Sequence, residues 1–132
     1  MIGGRRYEVF ADLAAWKRFK ERSWNSLKMV EPLTPRFGFK LAFENHNDWR
    51  TEELLDLLNR LESEAVGATF DFGNNLALLE DPHEVCEALA PFILSTHVKD
   101  MGVEAHEDGF LLSEVPLGDG VLDLKRLVRT CA

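Results

Sequence analysis

Apolar residues recur along the chain in two alternating periods, one helical and one extended. After Asp12, a side chain suited to an N-cap, Leu13, Trp16, Phe19, Ser23, Leu27 and Val30 fall near helical spacing with charged residues between them. That spacing predicts an amphipathic helix whose Trp and Phe stripe packs on a sheet. Pro32 to Pro35 reads as the end of that helix, and residues 37–43, FGFKLAF, read as a short apolar strand running into Glu44-Asn45-His46. Thr51 then opens a second helix, with Glu52 and Glu53 on the positive end of its dipole and Leu54, Leu57, Leu58 and Leu61 as its buried face.

The same order repeats downstream. Val66 to Phe70 predicts a strand terminating in Asp71-Phe72-Gly73-Asn74-Asn75. Asp81-Pro82-His83-Glu84 has the form of a capping box with Pro at the first helical position, so a third helix runs through Val85, Ala88 and Leu89 to about Ala90. Phe92 to Thr96 predicts a third strand, ending at His97-Val98-Lys99-Asp100. A polar stretch from Met101 to Gly109 leads into residues 110–120, FLLSEVPLGDG, and Leu122, Leu124, Leu127 and Val128 begin a last amphipathic segment. Gly118-Asp119-Gly120 reads as a turn before that helix, because the rest of a phosphate-loop pattern is absent. Alternating helices and strands indicate an α/β fold with a parallel sheet.

Composition narrows the partners. Of 132 residues, 45% are apolar, enough for one ordinary domain with a real core. Twenty-three acidic against fifteen basic residues give a formal charge of −8, the wrong balance for a phosphate-backbone binder, so no nucleic-acid partner is expected. No apolar run approaches the ~20 residues of a membrane span, and no membrane partner is expected. Cys86 and Cys131 match no CxxC pattern and are too few to staple a secreted fold. A soluble, cytoplasmic protein is the expectation.

Three apolar strands finish in groups able to bind a metal: Glu44, Asp71 and His97. Their separations, 27 and then 26 positions (71 − 44 and 97 − 71), are close to one strand-helix unit of ~30 residues. Equal spacing means equal place in each unit, and in a parallel barrel all strand carboxyl ends share one face. The three side chains are therefore expected to converge there. A carboxylate, carboxylate and imidazole set suits Mn²⁺ or Mg²⁺, with Co²⁺ possible, better than it suits a thiolate zinc site.

The segments LAFENH, TFDFGN, THVKD and VPLGDG, in that order, resemble the successive signatures of the xylose-isomerase-like superfamily of sugar-phosphate isomerases and epimerases. The resemblance covers the chain from about Gly3 to Val128. It implies a partial (βα)8 TIM barrel, a single domain over residues 1–132 cut short at both ends, holding roughly strands four to seven. Ile2 to Tyr7 would be the tail of strand four, and Glu44, Asp71 and His97 would end strands five, six and seven as ligands of one divalent ion. The family's fourth ligand, a glutamate ending strand eight, has no counterpart. Glu114 follows His97 too closely for a helix and a new strand, so a loop or short hairpin is its expected place.

The resemblance also implies the chemistry. A bound metal would hold adjacent oxygens of an aldose or ketose and polarise the carbonyl, while Glu44 acts as ligand and base. Sugars, sugar phosphates and keto acids are the small-molecule substrates expected. His46 and Asn74 stand beside the ligands, either to bond sugar hydroxyls or to satisfy loop backbone. Lys99 is a candidate for an anionic group or an enediolate oxygen, with Asp100 holding Lys99 or His97 in place. Arg5 and Arg6 are candidates for a substrate phosphate or carboxylate, or a solvated pair.

Two other classes compete. An abasic-site endonuclease of the same fold needs a His-rich metal cluster and a basic face, whereas the chain has four His, of which His83 and His106 are placed in a helix start and a loop. A catalytically inactive half-barrel fragment is the other alternative. An open half-barrel exposing Phe39, Leu41 and Phe43 would in either case favour a homodimer or larger assembly.

Overall fold

In the computed structural model, which describes residues 10–132, three parallel strands lie side by side in chain order: β1 (Leu41–Glu44), β2 (Val66–Asp71) and β3 (Ile93–His97). Arg5, Arg6 and the expected tail of strand four lie outside the described residues. Helix α3 (Thr51–Leu61) connects β1 to β2, and α4 (Pro82–Leu89) connects β2 to β3. The repeating strand-helix unit is thus present as expected, with α1 (Leu13–Val30) before it and α5 (Leu124–Cys131) closing the chain. Among the described residues no helix is long and apolar enough to cross a membrane.

Local signals account for the helix starts. The Asp12 carboxylate accepts the Ala15 N–H at 2.6 Å, and the Asp81 carboxylate accepts from His83 and Glu84 ahead of Pro82. One boundary differs from expectation. Pro32 to Pro35 does not simply end α1 but begins a short helix, α2 (Leu33–Phe37), closed by Gly38 in the left-handed region at φ 66°. Pro32 caps it and Pro35 sits in its first turn, where a missing N–H costs nothing. Phe37 is consequently helical, and the strand starts at Leu41.

The core lies between the sheet and its helices. Phe43 of β1 and Val66, Ala68 and Phe70 of β2 meet Trp16, Leu54, Leu58, Val85 and Leu127 in one cluster. Trp49, just after β1, bridges Phe43 and Trp16 at ring-centroid distances of 5.4 and 5.2 Å. This corrects the expectation that Leu41 and Phe43 line an exposed inner face. Phe43 pairs in register with Ala68, both are buried, and Leu41 packs on the same cluster. A four-residue strand with apolar groups on both faces does not announce its phase; pairing with β2 decides it. The opposite face carries Ala42, Gly67, Thr69 and Ser95, with the Thr69 and Ser95 hydroxyls 2.7 Å apart. Only Phe39, ahead of β1, is exposed as expected.

Past β3 the polar stretch is not a loop. Asp100–His106 and Gly109–Val115 form an antiparallel hairpin, β4 and β5, which pairs Met101 with Glu114 and places His106 at the end of β4. Glu114 thus sits in a short hairpin, as its distance from His97 required.

Candidate metal and substrate site

A one-residue irregularity brings the three strand ends into phase. Ala68 pairs with Ile93, but Thr69 pairs with Ser95 and Asp71 with His97, leaving Leu94 as the inserted residue. With Ile93 on the core face, strict alternation would send Ser95 and His97 there too. The bulge shifts them onto the face of Thr69 and Asp71.

There the ligand atoms of Glu44, Asp71 and His97 all lie within 4.8 Å of one another. His97 Nδ1 is 2.8 Å from Asp71 Oδ2 and 3.4 Å from Glu44 Oε1. Asp71 Oδ2 is buried and accepts no hydrogen bond despite that proximity, because the imidazole is not aligned to donate to it. Nδ1 shares its hydrogen bond with Glu44 Oε1 instead, so Asp71 Oδ2 faces it at 2.8 Å with no proton between them, an arrangement that a cation relieves. Ligands held about 2.1 Å from an octahedral ion sit about 3 Å from their neighbours, close to the two separations seen here. The donors therefore fit a hard divalent ion.

Asp71 is the most constrained ligand. Its Oδ1 accepts from the backbone N–H groups of Gly73 at 2.9 Å and Asn74 at 3.0 Å, and Lys99 Nζ is 3.2 Å away. Lys99 Nζ also donates to Asn74 Oδ1 at 2.7 Å and to Glu114 Oε1 at 3.2 Å. Among the described residues, the polar contact Glu44 makes is with His97, at 3.4 Å. These groups line a cleft of about 600 Å³, shared with His46, Asn47 and the hairpin residues Leu112 and Ser113.

The structure thus gathers Glu44, Asp71, His97, His46, Asn74 and Lys99 around one cleft. Asn74 is committed to the protein, donating to Asn45 O at 3.0 Å while accepting from Lys99. Asp100 departs from expectation: it turns to neither Lys99 nor His97. Its buried carboxylate accepts from the backbone N–H groups of Met101, Gly118, Gly120 and Leu122. Burial pushes its pKa up, and those four N–H groups more than offset this, holding the carboxyl below its ordinary range. The geometry is a nest that ties the 116–120 turn to β4, and Gly120 is required in it because a Cβ there would strike the Asp100 carboxylate.

Sequence reasoning missed Asn45, Asn75 and Glu80. Asn45 is fully buried and bonds both backbone groups of Asp71, while Asn75 joins Asn45 to Glu80 and Thr51. A polar residue next to a ligand at a strand end was the available signal for Asn45; Glu80 had none.

Residues 2–131 match the family described as Xylose isomerase-like TIM barrel. The chain is 32% identical over 119 residues to 3-oxo-isoapionate decarboxylase of Pectobacterium atrosepticum, which covers 89% of this chain and 43% of that protein. It superposes with a TM-score of 0.73 on a xylose isomerase-like TIM barrel protein from Mycobacterium smegmatis in complex with magnesium, at 17% identity over 99% of this chain and 43% of that one. A D-tagatose 3-epimerase-like protein gives a TM-score of 0.72 at 20% identity, over 96% of this chain and 48% of that one. The chain spans less than half the length of each of these proteins, and its likeness to the two structures is one of fold.

Proposed function

Because the chain belongs to the xylose isomerase-like TIM-barrel family, we propose that it carries the metal-binding wall of an enzyme that isomerises or epimerises a sugar, sugar phosphate or keto acid. The convergence of Glu44, Asp71 and His97 carries this reading. A divalent ion there, Mn²⁺, Mg²⁺ or Co²⁺ ahead of Zn²⁺, would polarise a substrate carbonyl and acidify the neighbouring C–H. Asp71, tied down by two backbone N–H groups and Lys99, serves as a fixed ligand. Glu44, held only by a long 3.4 Å contact with His97 among the described residues, is the carboxylate able to take a proton from carbon and return it. His46 and Asn74 border the space where hydroxyls would lie, and Lys99 offers an ammonium to a developing oxyanion or a substrate carboxylate.

The relative's name favours a second reading. Decarboxylation of a 3-oxo sugar acid would use the same polarised carbonyl but no base: the C–C bond to the carboxylate breaks, carbon dioxide leaves, and the enolate carbon takes a proton from solvent, with Lys99 orienting the departing carboxylate. Substrate exchange separates the readings. Mn²⁺-loaded protein incubated in D₂O with aldoses and ketoses should incorporate deuterium beside the carbonyl, and Glu44→Gln should abolish it, while 3-oxo sugar acids are followed by carbon dioxide release. Carbon dioxide release that survives Glu44→Gln would support the decarboxylase instead, and metal uptake with neither reaction would identify a catalytically inactive half-barrel.

Self-association and a cytoplasmic setting belong to the same proposal. Among the described residues β1 and β3 each pair on one side only, and Val103, Phe110 and Leu111 of the hairpin are exposed. Sedimentation equilibrium should report a dimer or larger species; a monomer of 15.0 kDa would sink that expectation.

A further inference from the structure

Just past Glu44 the β1–β2 ladder changes character. Register pairs Glu44 with Thr69, and the last backbone bond, Asn45 N–H to Thr69 O, is stretched to 3.4 Å. The next rung in register would carry Asp71 N–H to the Asn45 carbonyl. Instead the Asn45 side chain takes that place: Oδ1 accepts Asp71 N–H at 2.6 Å, while Nδ2 donates to Asp71 O at 2.9 Å. The displaced Asn45 carbonyl accepts from Asn74 Nδ2 at 3.0 Å. The chain after Glu44 is thereby released toward Trp49, while Asp71 stays tied to the residue beside Glu44.

The amide cannot turn over. Its second N–H reaches Asn75 Oδ1 at 2.7 Å. Asn75 is itself oriented because its Nδ2 donates to the Glu80 carboxylate, which also accepts from Thr51 Oγ1 at 2.9 Å. A carboxylate only accepts, so the donor end of Asn75 must face it and the acceptor end must face Asn45. One orientation of Asn45 satisfies this chain, and it is the one that clamps both backbone groups of Asp71.

We infer that Asn45 is a positioning residue for the metal site, its buried amide standing in for a ladder rung to fix the spacing of the Glu44 and Asp71 carboxylates. It is absent from the cleft lining and fully buried, so it acts through Asp71 and touches no substrate. This inference rests on the metal reading above. Groups that orient ligands typically change metal affinity about 10–100-fold when removed.

The test measures free Mn²⁺ by electron paramagnetic resonance in titrations of wild type, Asn45→Ala, Asn45→Asp and Asn75→Ala, alongside urea unfolding of each. Asn45→Asp keeps an acceptor for Asp71 N–H but has no donor for Asp71 O or Asn75. Asn45→Ala and Asn45→Asp are expected to bind Mn²⁺ at least about tenfold more weakly while folded. Asn75→Ala removes only the partner that orients the amide, so it tests the inference even if the Asn45 variants do not fold; a several-fold loss is expected. Folded variants with wild-type affinity and only a lower unfolding midpoint would reduce Asn45 to a structural role and overturn the inference. Wild type that takes up no Mn²⁺ would overturn the metal reading itself, and this role with it.

Discussion

His97 Nδ1 stands 2.8 Å from Asp71 Oδ2 across two neighbouring strands, without a hydrogen bond between them. The two ligands differ in how far the fold depends on them. The His97 side chain is 53% exposed, whereas that of Asp71 is 1% exposed and caps the turn after β2. His97→Ala should therefore weaken Mn²⁺ binding at least about tenfold and change stability by no more than about 0.5 kcal/mol. Asp71→Asn should lower both affinity and the unfolding midpoint. Equal stability losses in the two variants, read by urea denaturation, would contradict this division.

The strand ends were legible because each apolar run stops at a polar residue one strand-helix unit from the last, which puts Glu44, Asp71 and His97 at the same end of the sheet, although His97 reaches their face only through the bulge at Leu94. The helix starts at Asp12 and Asp81 were legible from their caps. What stayed hidden was decided by tertiary partners. Phe43 faces the helices because β2 sets its register, and Leu94 is bulged because β3 must re-phase against Thr69. Asp100 looked like a neighbour of the site, but backbone N–H groups some twenty residues downstream claim its carboxylate. The hairpin did carry a signal, since Asp108-Gly109 falls at its tip, where Glu107 and Asp108 make the turn and Gly109 opens β5 opposite His106. Its polar first half concealed it.

The two cysteines should differ sharply in reactivity. Cys86 is fully buried between α4 and α5, and Cys131 is partly exposed with its sulfur 3.5 Å away. Burial above all, then the contact with Cys131 and the nearby Glu87 charge, pushes the Cys86 thiol up to about 12. At pH 8 its thiolate fraction is then of the order of 10⁻⁴, and the thiolate is the reacting species. Iodoacetamide should alkylate Cys131 in the native protein and reach Cys86 only on unfolding. Mass spectrometry of the native protein showing Cys86 modified first would refute this.

The Asp100 nest makes a prediction about acid. Its carboxyl is held below the ordinary value in the folded chain, because backbone N–H groups outweigh the burial penalty. A depressed acid favours the fold while it is ionised in both states. Its contribution is complete above the unfolded value near 3.9 and is lost as pH falls through the lower folded value. Asn at this position keeps one acceptor oxygen but turns an NH₂ group toward backbone N–H donors, which leaves part of the Gly118 to Leu122 turn unsatisfied. Asp100→Asn should therefore unfold at lower urea than wild type by a margin that is flat above about pH 5 and shrinks below about pH 4. The variant should also loosen the turn, raising hydrogen exchange at Gly118, Gly120 and Leu122 at neutral pH. A margin that stays constant down to about pH 2 would mean that the charge of Asp100 contributes nothing and that its shape alone holds the loop.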